Sequence, residues 1–189
     1  MKKSLGPRTL AFPTPVWVVG VYDENGKPNA MTAAWAGVCC SKPPCVAVSL
    51  RKATYSYGCI VSRQAFTVSI PSEDRVREAD YLGMATGREV NKFAQARLTP
   101  VSSTLVDAPY VQEFPLILEC KLLHTLEIGL HTLFVGEILD VKADEAVLGD
   151  RGLPDIAKVK PIVFGPEIRT YHGLGEYLGR AFDIGKEIG

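Results

Sequence analysis

Apolar positions along this chain come in short runs that end on proline, glycine or asparagine. Val16 to Tyr22 is apolar and β-branched, and the Asn25-Gly26 pair that follows favours a tight hairpin turn. The return strand reads as Asn29–Cys40 and stops at Ser41-Lys42-Pro43-Pro44, because proline cannot donate to a ladder. Cys45–Leu50 is a third strand, and Ala65–Ile70 a fourth that Pro71 closes. Between them Thr54 is placed to cap a short helix through Ser62.

Ser72-Glu73-Asp74 opens a second helix, with a capping hydroxyl and two acids at the positive end of the dipole. Val76, Ala79, Leu82 and Gly83 recur at helical spacing, which predicts one buried face, and Gly87 ends the helix. Asn91-Lys92-Phe93 reads as a short turn. Two long runs, Pro115–His124 and His131–Lys142, meet near Gly129 and predict an antiparallel pair. Residues 143–160 are polar and irregular or weakly helical, Pro161–Phe164 is a last strand, and a glycine-rich tail runs from Gly173 to Gly189. Six or more strands at hairpin spacing, with helices inserted between them, predict a mainly β fold: a small antiparallel β-barrel with Greek-key connections. At 189 residues, without repeats, the chain reads as one domain spanning 1–189.

Composition narrows the partners. Apolar residues make up 47% and charged residues 22%, an ordinary globular balance. Basic and acidic residues number 21 each, without a block of like charge, so neither nucleic acid nor a membrane surface is an expected partner. The apolar run near the start is broken by Pro7, Pro13 and Pro15, and no small-residue cleavage site follows, so no leader is expected. No run approaches the roughly 18 apolar residues of a bilayer crossing, and the expected location is the cytoplasm. Cys39, Cys40, Cys45, Cys59 and Cys120 form no CxxC pair and lack the spacing of a metal site. Among Val, Ala and Gly they read as buried, reduced thiols, and no metal is expected.

Two stretches could carry chemistry. In Ser49-Leu50-Arg51-Lys52-Ala53-Thr54 a strand ends, two cations follow, and a threonine opens a helix. Free N–H groups at a helix start, an arginine fork and a lysine charge suit a phosphate; the plain alternative is two solvated cations on a surface loop. In Asn29-Ala30-Met31-Thr32-Ala33-Ala34-Trp35, alternation puts Asn29, Met31, Ala33 and Trp35 on one face. Small residues there would let a flat ring approach the backbone, but on spacing alone a half-buried strand with Trp35 in the core is favoured. The Rossmann GxGxxG, Walker GxxxxGK[ST] and hydrolase GxSxG patterns are all absent.

The segment PTPVWVVGVYDENGKPNAMTAAWAGVCCSKPPCVAVSLRKATYSYGCI, followed by FTVSIP, GREVNKF and GLHTLFVGEILDVKADE, resembles the flavin reductase-like family of FMN-binding split barrels, and within it the flavoredoxins. The likeness covers roughly Pro13 to Ile184, and the order of the motifs is more specific than any one of them. It implies a homodimeric split barrel with one FMN per subunit near the dimer interface. By the same resemblance, Asn29, Met31, Thr32, Ala33 and Trp35 border the flavin. Ser49, Leu50 and Arg51 follow its ribityl and phosphate, with Lys52, Thr54 and Tyr55 nearby. Lys92 matches a lysine near the cofactor, against the alternative of a solvated helix cation, and Tyr171-His172-Gly173 reaches toward the isoalloxazine.

His131 is the candidate catalytic residue. Its counterpart in the family lies near the reactive face of the flavin, whereas on sequence alone a histidine bonding a neighbouring carbonyl is favoured. The resemblance leaves two main functions open. One is an FMN-dependent oxidoreductase fed by NAD(P)H; the other is an electron carrier reduced by a redox partner protein, with no nicotinamide site. Several relatives carry Gly-Asp-His where this chain has Gly129-Leu130-His131, and the lost charge weakens the case for direct nicotinamide recognition. A flavin-free binding domain is a third, blander reading.

Overall fold

A computed structural model describes residues 1–188 of the chain. It opens with β1 (Thr14–Pro15), β2 (Trp17–Tyr22), β3 (Pro28–Ala33), β4 (Ala36–Ser41) and β5 (Pro44–Arg51). Helix α1 (Tyr55–Arg63), β6 (Ala65–Ile70), α2 (Val76–Met84) and α3 (Lys92–Ala96) follow. The second half holds β7 (Pro100–Ser102), β8 (Pro109–Val111), β9 (Leu116–Ile128), β10 (His131–Ala143), α4 (Ile156–Val159), β11 (Val163–Gly165) and β12 (Thr170–His172).

Seven strands form one antiparallel sheet in the order β3-β2-β6-β9-β10-β5-β4, so several spatial neighbours are distant in sequence. The edge strands β3 and β4 are joined by only Ala34 and Trp35. A link that short spans about 10 Å at most, so the sheet has to curl until its edges nearly meet. The Ser49 amide donates to the Trp35 carbonyl at 2.8 Å, which extends the β4–β5 ladder up to this link. This is the split β-barrel, mainly β with inserted helices, that the sequence predicts.

Alternation sorts the core. Val19, Val21, Ala33, Val46, Val48, Leu50, Phe66, Val68, Leu118, Cys120 and Phe134 share one buried cluster with Cys59 and Ile60 of α1. The intervening Val18 and Ala30 pack instead with Leu82 of α2 and Phe93 of α3. Gly136 on β10 has to be glycine because a Cβ there would meet the Phe66 ring. A three-stranded sheet β1-β11-β12 lies apart from the barrel, and its Phe164 and Tyr171 pack near Ala79 of α2.

Several expectations need correction. The single strand Asn29–Cys40 is two strands on opposite edges of the sheet, because the chain leaves β3 at Ala34-Trp35 to close the barrel. Trp35 is consequently 38% exposed and not a core residue. Thr54 stands at the N-cap position, but its hydroxyl donates to the Arg51 carbonyl and caps nothing. Ser72 bonds to Asp74, residues 73–75 form a 3-10 turn, and α2 ends at Met84, before Gly87. Asn91-Lys92-Phe93 starts a true helix, its first turn fixed by Asn91 Oδ1 accepting from the Ala94 amide. The last strand is shifted to Val163–Gly165 by its pairing with β1 and β12. Cys39 and Cys40 are exposed on edge strand β4, while Cys45, Cys59 and Cys120 are buried. Gly189, the end of the expected tail, lies outside the described residues. No helix is long and apolar enough to cross a membrane.

Candidate functional site

Two clefts adjoin where β3, α2 and the start of α1 meet. The larger, about 620 Å³, lies between the β3–β4 crossover, α2 and the small sheet. Thr32, Ala34, Trp35, Met84, Phe164 and Tyr171 form its walls, and Asp80, Glu167 and Arg169 supply polar groups. The smaller, about 340 Å³, is bounded by Met31, Thr54, Tyr55, Ser56, Gly87, Arg88 and Lys92. Gly83 and Met84 belong to both, so the clefts share a wall.

The smaller cleft is lined by cations and by the first turn of α1. Lys92 is buried, and its ammonium donates to the carbonyls of Ala30 and Leu82, both at 2.8 Å. Among the described residues no carboxylate pairs with it. Burial disfavours the charged form and pulls its pKa down to about 8. Lys92 is therefore not a solvated helix cation. Arg88 lies 5.6 Å over the Tyr55 ring, and its Nη1 donates to the Ala53 carbonyl at 3.0 Å. The Tyr55 hydroxyl is anchored on Asp23 at 2.7 Å, and that bond pushes the phenol up to about 12. Gly87 has to be glycine, since a Cβ would run into the Asn29 carboxamide and the Tyr55 ring.

The remaining sequence candidates are less uniform. Asn29 Nδ2 donates to Ser56 Oγ at 2.9 Å, and its buried Oδ1 has no partner. Ala33 and Leu50 point into the barrel core. Ser49 is tied to the crossover through its amide. Arg51 ends β5 directly opposite His131 and makes no ion pair among the described residues. Lys52 is bound to Glu127 at 2.7 Å, a pair more than half exposed on both sides and so worth little. Tyr171 walls the larger cleft and donates to Asp80 at 2.8 Å; burial and that bond raise its pKa to about 12. His131 stacks on Trp35 and bonds no carbonyl through its ring among the described residues.

A family model described as a flavin reductase-like domain matches residues 9–164. The chain belongs to the flavin reductase-like family. Flavoredoxin of Desulfovibrio vulgaris (Miyazaki F) is 58% identical, with 98% of this chain and 100% of that one covered and a TM-score of 0.94. Flavoredoxin from Methanosarcina acetivorans is 29% identical, with 100% of each chain covered and a TM-score of 0.93. The FMN-binding protein from Thermus thermophilus, 23% identical over 95% of this chain and 98% of its own, shares the fold with a TM-score of 0.80.

In this flavin reductase-like barrel several cleft residues escape sequence reasoning. Arg88 lies inside the GREVNKF motif, four residues before Lys92, yet nothing in the pattern distinguishes it from a surface cation. Asp80, Glu167 and Arg169 come from segments that only the packing of the small sheet against α2 brings together.

Proposed function

We propose that the two clefts hold one FMN and that the chain is an FMN-dependent redox protein of the flavoredoxin type. The buried Lys92 carries this reading. An ammonium held by two carbonyls and, among the described residues, by no acid, in the wall of a cleft with a helix start and Arg88, calls for an anion beside it. The phosphate would lie in the smaller cleft against the Thr54–Ser56 turn, Arg88 and Lys92, with Arg51 adding charge from the end of β5. The ring would lie in the larger cleft along Thr32, Ala34 and Trp35, where small side chains leave the backbone open. The combined size and this division between cationic and apolar walls fit a flat ring with a phosphorylated tail.

Bound FMN supplies reversible hydride and electron transfer; the protein's part is binding, orientation and tuning. Trp35 and Met84 supply apolar wall to the ring site, and the Tyr171–Asp80 bond fixes the wall opposite. The released cofactor of the purified protein, identified by its visible spectrum and mass, tests the assignment directly.

NAD(P)H or a redox partner protein supplies the electrons. An oxidoreductase is our first reading, and Leu130 is the observation that favours the second, a carrier without a nicotinamide site. It is 64% exposed and apolar, next to His131, and offers a nicotinamide cofactor no charge. NADH and NADPH oxidation, with and without added flavin, separates the two. The working form is a homodimer. The β9–β10 hairpin is exposed from Leu123 to Leu130 and presents Leu123, Leu126, Ile128 and Leu130 to solvent, an apolar surface that a second copy would cover.

A further inference from the structure

Cys40 and Cys45 stand directly opposite each other on β4 and β5, one rung from the Lys42-Pro43 turn. The register shifts between Val38 and Cys40, so Cys39 is the extra residue of a bulge. That bulge decides the pairing: it sets Cys40, and not Cys39, against Cys45. Directly opposed residues in an antiparallel pair hold their Cα atoms about 4.5–5.5 Å apart, inside the span of a disulfide.

The two sulfurs differ in access. Cys40 is exposed, whereas Cys45 is buried at 4% exposure. Burial pushes the Cys45 thiol up, and the neighbouring Cys40, Cys39 and Glu137 push it the same way. Cys40 is therefore the sulfur that a small disulfide in solution can reach, while Cys45 waits behind it.

We infer that Cys40 and Cys45 are a dithiol that a low-molecular-weight disulfide, of the oxidised glutathione class, converts to a cross-strand disulfide. Cys40 Sγ attacks one sulfur of the small disulfide, a mixed disulfide forms and one small thiolate leaves. Cys45 Sγ then attacks Cys40 Sγ, the Cys40–Cys45 bond forms and the second small thiolate leaves. The two protons from the cysteines go to the two released thiolates. The protein is oxidised by two electrons and the small disulfide is reduced to two thiols. The pair lies at the opposite end of β5 from Arg51: Arg51 is six positions on from Cys45, a run of about 20 Å at 3.3 Å per residue. This inference does not depend on the FMN reading, because the exchange needs only the hairpin.

The full chain, with whatever cofactor it retains, is incubated with oxidised glutathione, alkylated, unfolded and analysed by intact mass and peptide mapping. Two of the five thiols should disappear into a peptide linking Cys40 to Cys45, and dithiothreitol should restore them. Cys45→Ser should stop at one glutathione on Cys40, Cys40→Ser should slow thiol loss by about tenfold or more, and Cys39→Ser should behave as the parent. Five surviving thiols, a link through Cys39, or parental oxidation of Cys40→Ser would each overturn the assignment. An unchanged visible spectrum through oxidation keeps this result separate from the cofactor assignment.

Discussion

The Trp35 indole and the His131 imidazole lie nearly parallel, 8° apart in plane and 6.3 Å apart between centroids. Trp35 comes from the crossover that closes the barrel, and His131 from the first residue of β10, opposite Arg51. The stack carries the wall of the larger cleft across to that rung, and places the His131 imidazole beside the proposed ring site. His131→Ala should leave FMN affinity within about threefold, yet slow flavin reduction or electron delivery. His124, exposed on β9, is the control. Stopped-flow reduction of the two alanine variants decides, and equal small effects would return His131 to a structural role.

Lys92 makes stability and binding depend on pH in opposite ways. Its pKa is about 8 in the folded chain against an ordinary 10.5, so between those values the unfolded state holds more protons. Stability without ligand should therefore rise with pH through that window, relieving a cost on the order of 3 kcal/mol. An anion in the cleft favours the charged lysine, so FMN affinity should fall as pH rises through about 8. Lys92→Met should remove both trends. Urea midpoints and FMN titrations at pH 7 and 9.5 measure them, and a variant that keeps the affinity trend would refute Lys92 as its source.

Arg51 and Arg88 should discriminate by phosphate. Loss of a charge-assisted contact costs about 2 kcal/mol, or roughly 30-fold in affinity. Arg51→Ala and Arg88→Ala should each weaken FMN far more than riboflavin, which lacks the phosphate. Equal losses for the two ligands would remove that arginine from the phosphate site.

Association is tested on the exposed hairpin. Leu126 and Ile128 are each 56% exposed, so replacing them should not disturb the core. The parent should sediment as a dimer, and Leu126→Lys with Ile128→Lys should shift it to monomer while its circular dichroism is kept. A parent that is monomeric at every concentration contradicts the proposal.

The barrel was legible because burial on both faces leaves β2 an unbroken apolar run, burial on one face writes alternation into β10, and the Asn25-Gly26 turn marks the first hairpin. The break at Ala34-Trp35 was not, because a strand that changes sheet edges keeps its alternation almost to the corner. Trp35 looked like core for the same reason: an indole reads as apolar whether it fills a barrel or walls a cleft. Thr32, Trp35, Met31, Thr54, Tyr55, Lys92 and Tyr171 do line the adjoining clefts, whereas Asn29, Ala33 and Leu50 turn inward. The burial of Lys92 was not legible from local pattern, because its acceptors, Ala30 and Leu82, are backbone carbonyls that no side-chain pattern announces. The contacts of Arg88 with Ala53 and Tyr55 lie across the fold, beyond the reach of local spacing.

Ala34 and Trp35 have two duties, since the residues that join the sheet edges are also part of the cleft wall. Assembly of the pocket is thus the same event as closure of the barrel: before the edges meet, no wall exists, and no local fraying can open one without the other. Added length at this corner would let the edges part and flood the cleft, whereas added length at the Gly129-Leu130 turn would only lengthen an exposed tip. Occupancy of the proposed FMN site is in effect a gauge of ring closure.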